Sequence, residues 1–122
     1  SLSTSITNNY LAICHAAYSI ASNLDIKVIV VLTDSGKTAI QMAQFRPNAI
    51  IVAITPHQKT CNLLSMIWGV VPVHVKQAQN SNDVYKLVNK ILINRNLIQS
   101  GHNFLITSGI WFFSIEEKEV FI

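Results

Sequence analysis

An α/β fold with a largely parallel sheet is what this chain predicts, and three observations predict it. Short apolar runs rich in β-branched residues alternate with stretches of helical periodicity. The run Val28-Ile29-Val30-Val31-Leu32 is apolar at every position, the pattern of a strand buried on both faces. The connections are short, which implies right-handed crossovers and helices covering both faces of one sheet.

Taken in order, Leu11, Ala12, Ile13, Ala16, Ala17, Ile20, Ala21 and Leu24 fall at intervals of three and four and predict an amphipathic helix over about Thr7 to Asn23. Asp25 precedes the first strand, Val28 to Leu32. The polar stretch Thr33-Asp34-Ser35-Gly36-Lys37-Thr38 then opens a second helix, whose apolar positions Ala39, Ile40, Met42, Ala43 and Phe45 continue until Pro47 stops it. Ala49 to Thr55 is the second strand. Pro56 opens a helix to about Trp68, with Leu63, Leu64 and Ile67 apolar and Gly69 as its terminal cap.

Val70 to Val75 reads as a third strand, and Pro72, which has no donor for a ladder, puts it at a strand start or a sheet edge. Lys76 to Asn80 is a polar loop. Ser81 or Asn82 caps a last helix in which Val84, Leu87, Val88, Ile91, Leu92 and Leu97 repeat at helical spacing until Ser100-Gly101. Phe104-Leu105-Ile106 is a fourth strand, and Lys118 to Ile122, where Val120 and Ile122 alternate with charged or exposed positions, is a fifth with edge character.

The chemistry concentrates between the first strand and the second helix. Thr33, Ser35 and Thr38 supply hydroxyls, Gly36 lets backbone approach a ligand, and Lys37 supplies an ammonium beside the free amides and dipole of a helix start. Those groups suit a phosphate. The stretch is not a Walker loop, because that pattern needs a glycine five residues before Gly36 and the residue there is Val31. A plainer reading makes Ser35 or Asp34 a helix cap and Gly36 a turn residue.

At 122 residues the chain holds one core, so residues 1–122 read as a single domain. Half the residues are apolar and 12% are charged, which excludes disorder and leaves surface for a partner to cover. The net charge is +3, but Lys and Arg are scattered, so no basic face for nucleic acid forms. No apolar stretch reaches the ~18 residues of a membrane span, and SLSTSITNNY lacks a charged signal-peptide start. Because the chain does not begin with Met, a fragment of a longer protein is expected.

Cys14 and Cys61 have no C-x-x-C partner and read as buried thiols. His15, His57, His74 and His102 are dispersed without metal-ligand spacing, and Glu116, Glu117 and Glu119 read as a solvated turn. No metal or cofactor is expected in this domain. The consecutive aromatics Trp111, Phe112 and Phe113 cannot all face one side of a strand, so either they enter the core or at least one of them meets another subunit.

The ordered series Thr33, Ser35 to Ala39, Arg46-Pro47, Ala53 and Thr55, then Gly69-Val70 with Pro72, resembles the carboxy-terminal domain of pyruvate kinase. There a strand, a T-x-S-G-x-[ST]-A loop, a helix ending in R-P, a strand ending in A-x-T, a helix and G-V-x-P follow one another. The likeness continues through SNDVYKLVNKILINRNLIQSGHNFLITSG and covers about Tyr10 to Gly109. It implies a three-layer sandwich whose mixed sheet has five strands, the last antiparallel.

The resemblance also implies a non-catalytic domain for regulation and subunit association. Phosphoryl transfer from phosphoenolpyruvate to a nucleoside diphosphate, with magnesium and potassium, belongs to a separate barrel domain, so no activity is expected of this domain alone. Its implied partners are that barrel and further copies of the subunit, in the cytoplasm, or in an organelle if a targeting segment lies upstream. In regulated members the loop matching Thr33, Asp34, Ser35, Gly36, Lys37 and Thr38 cradles a sugar phosphate, and members activated by fructose bisphosphate close it with a glycine-rich loop after the fourth strand, where this chain keeps Gly109 but continues Ile110-Trp111-Phe112-Phe113. Members activated by fructose bisphosphate carry a tryptophan and an arginine before the last helix. Lys76 to Asn82 contains neither, which points to a sugar monophosphate or to no effector. A free-standing phosphate- or metabolite-binding module stays open as the other reading.

Overall fold

The computed structural model describes residues 2–76, 81–108, 112–115 and 119–121, with side chains over 11–76 and 84–108. The elements are α1 (Leu2–Asn23), β1 (Val28–Leu32), α2 (Lys37–Gln44), β2 (Ile50–Thr55), α3 (Gln58–Leu64), β3 (Val70–His74), α4 (Ser81–Asn94), β4 (Phe104–Thr107), β5 (Phe112–Ile115) and β6 (Glu119–Phe121). They form one sheet in the order β3-β2-β1-β4-β5-β6. β1 to β4 are parallel, with Ile29 beside Ile51 and Leu105, and Ile51 beside Val70.

Alternation along each strand sends its side chains to two faces. Ile29, Val31, Ile51, Ala53 and Leu105 meet Cys14, Ala17 and Ala21 of α1, Ala39 and Met42 of α2 and Leu64 of α3 on one face. Val28, Val30, Val52, Ile54, Phe104 and Ile106 meet Val84, Val88 and Leu92 of α4 on the other. Two crossovers, β1-α2-β2 and β2-α3-β3, step outward in one direction and so lie on the same face. The third, β3-α4-β4, runs back past β1 and must cross the opposite face. No helix among the described residues is long and apolar enough to cross a membrane.

Among the described residues six strands rather than five make the sheet. Phe112 and Phe113, read from sequence only as core or contact residues, belong to the additional strand β5, which pairs antiparallel with β4, Thr107 beside Phe112 and Ile106 beside Phe113. The strand expected at Lys118 to Ile122 is the sixth, β6, antiparallel to β5. An adjacent-aromatic run shows no period of two, which is why β5 left no strand signature in the letters.

Helix ends also differ from the sequence reading. α3 stops at Leu64, not Trp68: the Met66 and Ile67 amides bond back three residues to Leu63 and Leu64 in a tightened turn, and Gly69 then takes a left-handed φ of 83°. α4 stops at Asn94, because Asn96 adopts φ 58° and the Leu97 and Asn96 amides close on the Leu92 and Ile93 carbonyls, a Schellman arrangement with asparagine in glycine's usual place. Asp25, with φ 53°, ends α1 by the same pair of bonds, from Ile26 to Ala21 and from Asp25 to Ser22. α1 itself begins at Leu2, ahead of the expected Thr7.

Candidate anion site at the carboxyl ends of the strands

The loop Thr33–Gly36 leaves the carboxyl end of β1, where the sheet reverses its direction of winding. β2 lies on one side of β1 and β4, reached only after the long crossover, on the other. In open parallel sheets this reversal opens a crevice. Val31 pairs with Thr107, so the carboxyl end of β4 lies beside that of β1.

The loop's shape is fixed by hydroxyl groups rather than by its own backbone. The Thr33 amide donates to the Ile54 carbonyl at 3.0 Å, prolonging the β1–β2 ladder by one residue. Thr33 Oγ1 accepts from the Gly36 amide at 2.9 Å and closes the turn. The Asp34 carbonyl accepts from Thr60 Oγ1 at 2.6 Å and from Thr55 Oγ1 at 3.4 Å. Both threonines are buried, so their hydroxyls need that acceptor.

Gly36 sits at φ 88° as the residue that caps α2. A Cβ there would lie 3.1 Å from Leu64 Cδ2 and 3.3 Å from Thr60 Cγ2, so the loop is pressed against α3 and a tight approach adds to the left-handed φ in favouring glycine. No side chain caps the helix: Ser35 Oγ accepts only a long 3.4 Å bond from the Lys37 amide, so the cap reading of Ser35 or Asp34 is set aside. Ser35, Lys37 and the Asp34 carboxylate are exposed around the turn, and Thr38 is buried behind it.

His57 faces the same loop. Its Nε2 stands 3.6 Å from Asp34 Oδ1, an ion pair when the ring is protonated, and its amide donates to Thr55 Oγ1 at 3.2 Å. A protonated His57 would counter the one carboxylate of a loop otherwise suited to anions. His74 instead bonds the Pro56 carbonyl through Nε2 at 3.0 Å, and His15 lies against the Phe45 ring, both structural placements. Cys14 and Cys61 are separate buried thiols. Cys14 Sγ donates weakly to the Thr38 carbonyl at 3.9 Å, tying α1 to the first turn of α2, and burial pushes its thiol up to about 11.

Of the residues expected at the site, the structure brings Thr33, Asp34, Ser35, Gly36, Lys37 and Thr38 together at this pole. Gly109 and Trp111 lie outside the described residues, as do the side chains of Phe112 and Phe113. Thr60 and His57 were not expected here. Their contacts with Asp34 join positions more than twenty residues apart in sequence, and no local pattern announces them. A cavity of about 180 Å³ exists at the other pole, lined by Ser22, Asp25, Lys27 and Asn48 among others, and none of the predicted residues borders it.

The family model described as pyruvate kinase, alpha/beta domain, matches residues 11–117. Pyruvate kinase of Lactococcus lactis is 38% identical over 90 residues, 74% of this chain and 18% of that one. Pyruvate kinase of Methylorubrum extorquens is 34% identical over 101 residues, 83% of this chain and 21% of its own. The crystal structure of Cryptosporidium parvum pyruvate kinase superposes with a TM-score of 0.83 over 88% of this chain and 22% of that one, at 22% identity, a likeness of fold. The chain spans about one-fifth of the length of these relatives. With a matched family model over most of its length and relatives more than 30% identical, the chain belongs to the pyruvate kinase alpha/beta domain family.

Proposed function

We propose that this chain is the regulatory and assembly domain of a longer pyruvate kinase subunit, and that Thr33 to Thr38 holds the phosphate of a sugar phosphate. The observation that carries the reading is the hydroxyl-clamped loop: a turn held open at a strand's carboxyl end, with a left-handed glycine, an exposed serine and a lysine at the start of α2. A helix start presents amides and the positive end of a dipole to an anion. Lys37 adds a formal charge and Ser35 a donor.

Chemistry on phosphoenolpyruvate is assigned to the part of the subunit outside this domain, where the magnesium and potassium ligands of the family lie. This domain acts on that chemistry only by binding. An effector shifts a conformational equilibrium by as much as its affinity differs between the two states, and no more. Absence of a tryptophan and an arginine from Lys76 to Asn82 favours a monophosphate over a bisphosphate. For assembly, β6 at the sheet edge beside the aromatic strand β5 supports a two-fold contact between subunits, in which Trp111, Phe112 and Phe113 take part.

A thermal-shift screen against sugar mono- and bisphosphates tests the effector site. A ligand at one hundred times its Kd stabilises by about 2.7 kcal/mol. The shift is expected to disappear in the double variant Ser35→Ala, Lys37→Ala with the unliganded melting point unchanged. A shift retained in that variant moves the site elsewhere, and none with any sugar phosphate leaves an assembly domain alone. Sedimentation at high micromolar concentration tests the contact, and a strict monomer counts against it.

A further inference from the structure

Asp34 is held at both of its polar ends. Its carbonyl takes the hydroxyls of Thr60 and Thr55, and its carboxylate stands with Oδ1 3.6 Å from His57 Nε2. The His57 amide donates to Thr55 Oγ1, so the backbone that carries the ring is anchored to the threonine that also holds the loop. His57 occupies the position that caps α3 yet makes no cap bond, although asparagine, aspartate and serine are the usual residues there. The polar partner of its ring is Asp34 instead. Ring and carboxylate are both open to solvent, 58% and 85% exposed, so protons reach them freely.

We infer that the His57–Asp34 pair links anion binding at Thr33 to Thr38 to the uptake of a proton: a protonated ring cancels the carboxylate that otherwise repels a phosphate or sulfate dianion at the start of α2. The inference deepens the reading of this loop as an anion site and rests on it. With a neutral ring, the formal charges of Asp34 and Lys37 cancel, and a proton on His57 leaves one net positive charge among the three. Histidine is the side chain whose charge ordinarily changes between about pH 5 and 8. The other titratable groups at this pole are Lys59, exposed on α3, and His74, at the end of β3 with Nε2 on the Pro56 carbonyl. Lysine keeps its charge through that range, so Lys59 does not alter the difference. One unit charge acting on a nearby dianion through solvent is worth about threefold to tenfold in affinity, and less as salt is added. By linkage, a bound anion favours the proton on His57 to the same extent. The anion is therefore held more tightly in acid and released as pH rises.

Sulfate is the probe that separates this effect from the ligand's own ionisation, because it stays a dianion where a phosphate ester loses and gains a proton near pH ~6. Its dissociation constant is read from the amide resonances of Gly36, Lys37 and Thr38 in the 122-residue chain at about pH 5.5 and 7.5 and low salt. Binding is expected to be about threefold to tenfold tighter at the lower pH, and to change less than about twofold in His57→Asn, which keeps a residue favoured at a helix cap. Asp34→Asn is expected to bind at the higher pH about as tightly as the parent does at the lower. The variant series removes the contribution of His15, His74 and His102, which titrate in every protein compared. Binding that is the same at both pH values, or a pH dependence that survives in His57→Asn, overturns the inference and leaves the anion site standing. No response of those amides to sulfate at either pH overturns the anion site and this inference together.

Discussion

The two poles of the sheet use left-handed residues for opposite ends. At the carboxyl pole Gly36 is left-handed where it touches Leu64 and Thr60, and the turn around it is held by three threonine hydroxyls. At the amino pole Asp25, Arg46 and Asn96 are left-handed with full side chains, ending α1, α2 and α4, and Gly69 turns with nothing within 4 Å of where a Cβ would stand. One pole spends its special geometry on a closely packed turn that favours glycine twice over, by its φ and by its neighbours. The other uses it to stop helices, a task that other residues perform at some cost in strain.

The strongest way to break this comparison is to add the same methyl group at both glycines. Gly36→Ala is expected to cost about 2–4 kcal/mol, from left-handed strain plus the 3.1 Å approach to Leu64, and to abolish effector binding. Gly69→Ala, with strain alone, is expected to cost about 1–2 kcal/mol. Equal losses in chemical denaturation would show that the loop is not pressed against α3.

Next in size is the effect of alkali on the α1–α2 contact behind the loop. The buried Cys14 thiol holds its proton up to about 11, against 9.0 when exposed in the unfolded chain. The contribution of this thiol to stability is therefore complete below pH 9 and is lost as pH rises toward 11, because only the unfolded state releases the proton in that window. The loss is about 2–3 kcal/mol, and in Cys14→Ala the slope between pH 9 and 11 is expected to flatten.

Much of this arrangement is legible in the letters, and the illegible parts have physical causes. Val28 to Leu32 is a strand in sequence and structure alike, because an unbroken β-branched run has one economical use in an α/β chain. The phosphate-type loop was visible as composition, and the family order of motifs supplied the rest. Ile67 and Trp68 carry on the helical spacing of α3 after its hydrogen bonds have tightened, so its end was read four residues late. Asn96 stops α4 without the glycine that announces such stops, and Thr60 reaches Asp34 only because α3 folds back over β1's end.

Thr60→Val separates the clamp from the core packing around it. Loss of the 2.6 Å bond to Asp34 is expected to cost about 1–2 kcal/mol and to weaken effector binding, while Thr60→Ser restores both in part. Binding unchanged in the valine variant would mean that the hydroxyl shapes nothing a ligand uses. The smallest effect lies at the other pole: Asn96→Gly is expected to stabilise by about 1 kcal/mol in denaturant melts, by relieving a left-handed residue with no ligand role.

The strand order carries a consequence for how the domain is made. Within this domain β1 precedes the other strands and pairs with β2 soon after both are made, yet its opposite edge has no partner until Phe104–Thr107 has been completed. Throughout that interval the most apolar strand of the chain presents an open row of amides and carbonyls, the template on which nascent chains associate with one another. β5 and β6 can attach only after β4 has docked. Final closure of the sheet therefore waits on its most distant pairing, and a topology dominated by such non-local contacts folds slowly.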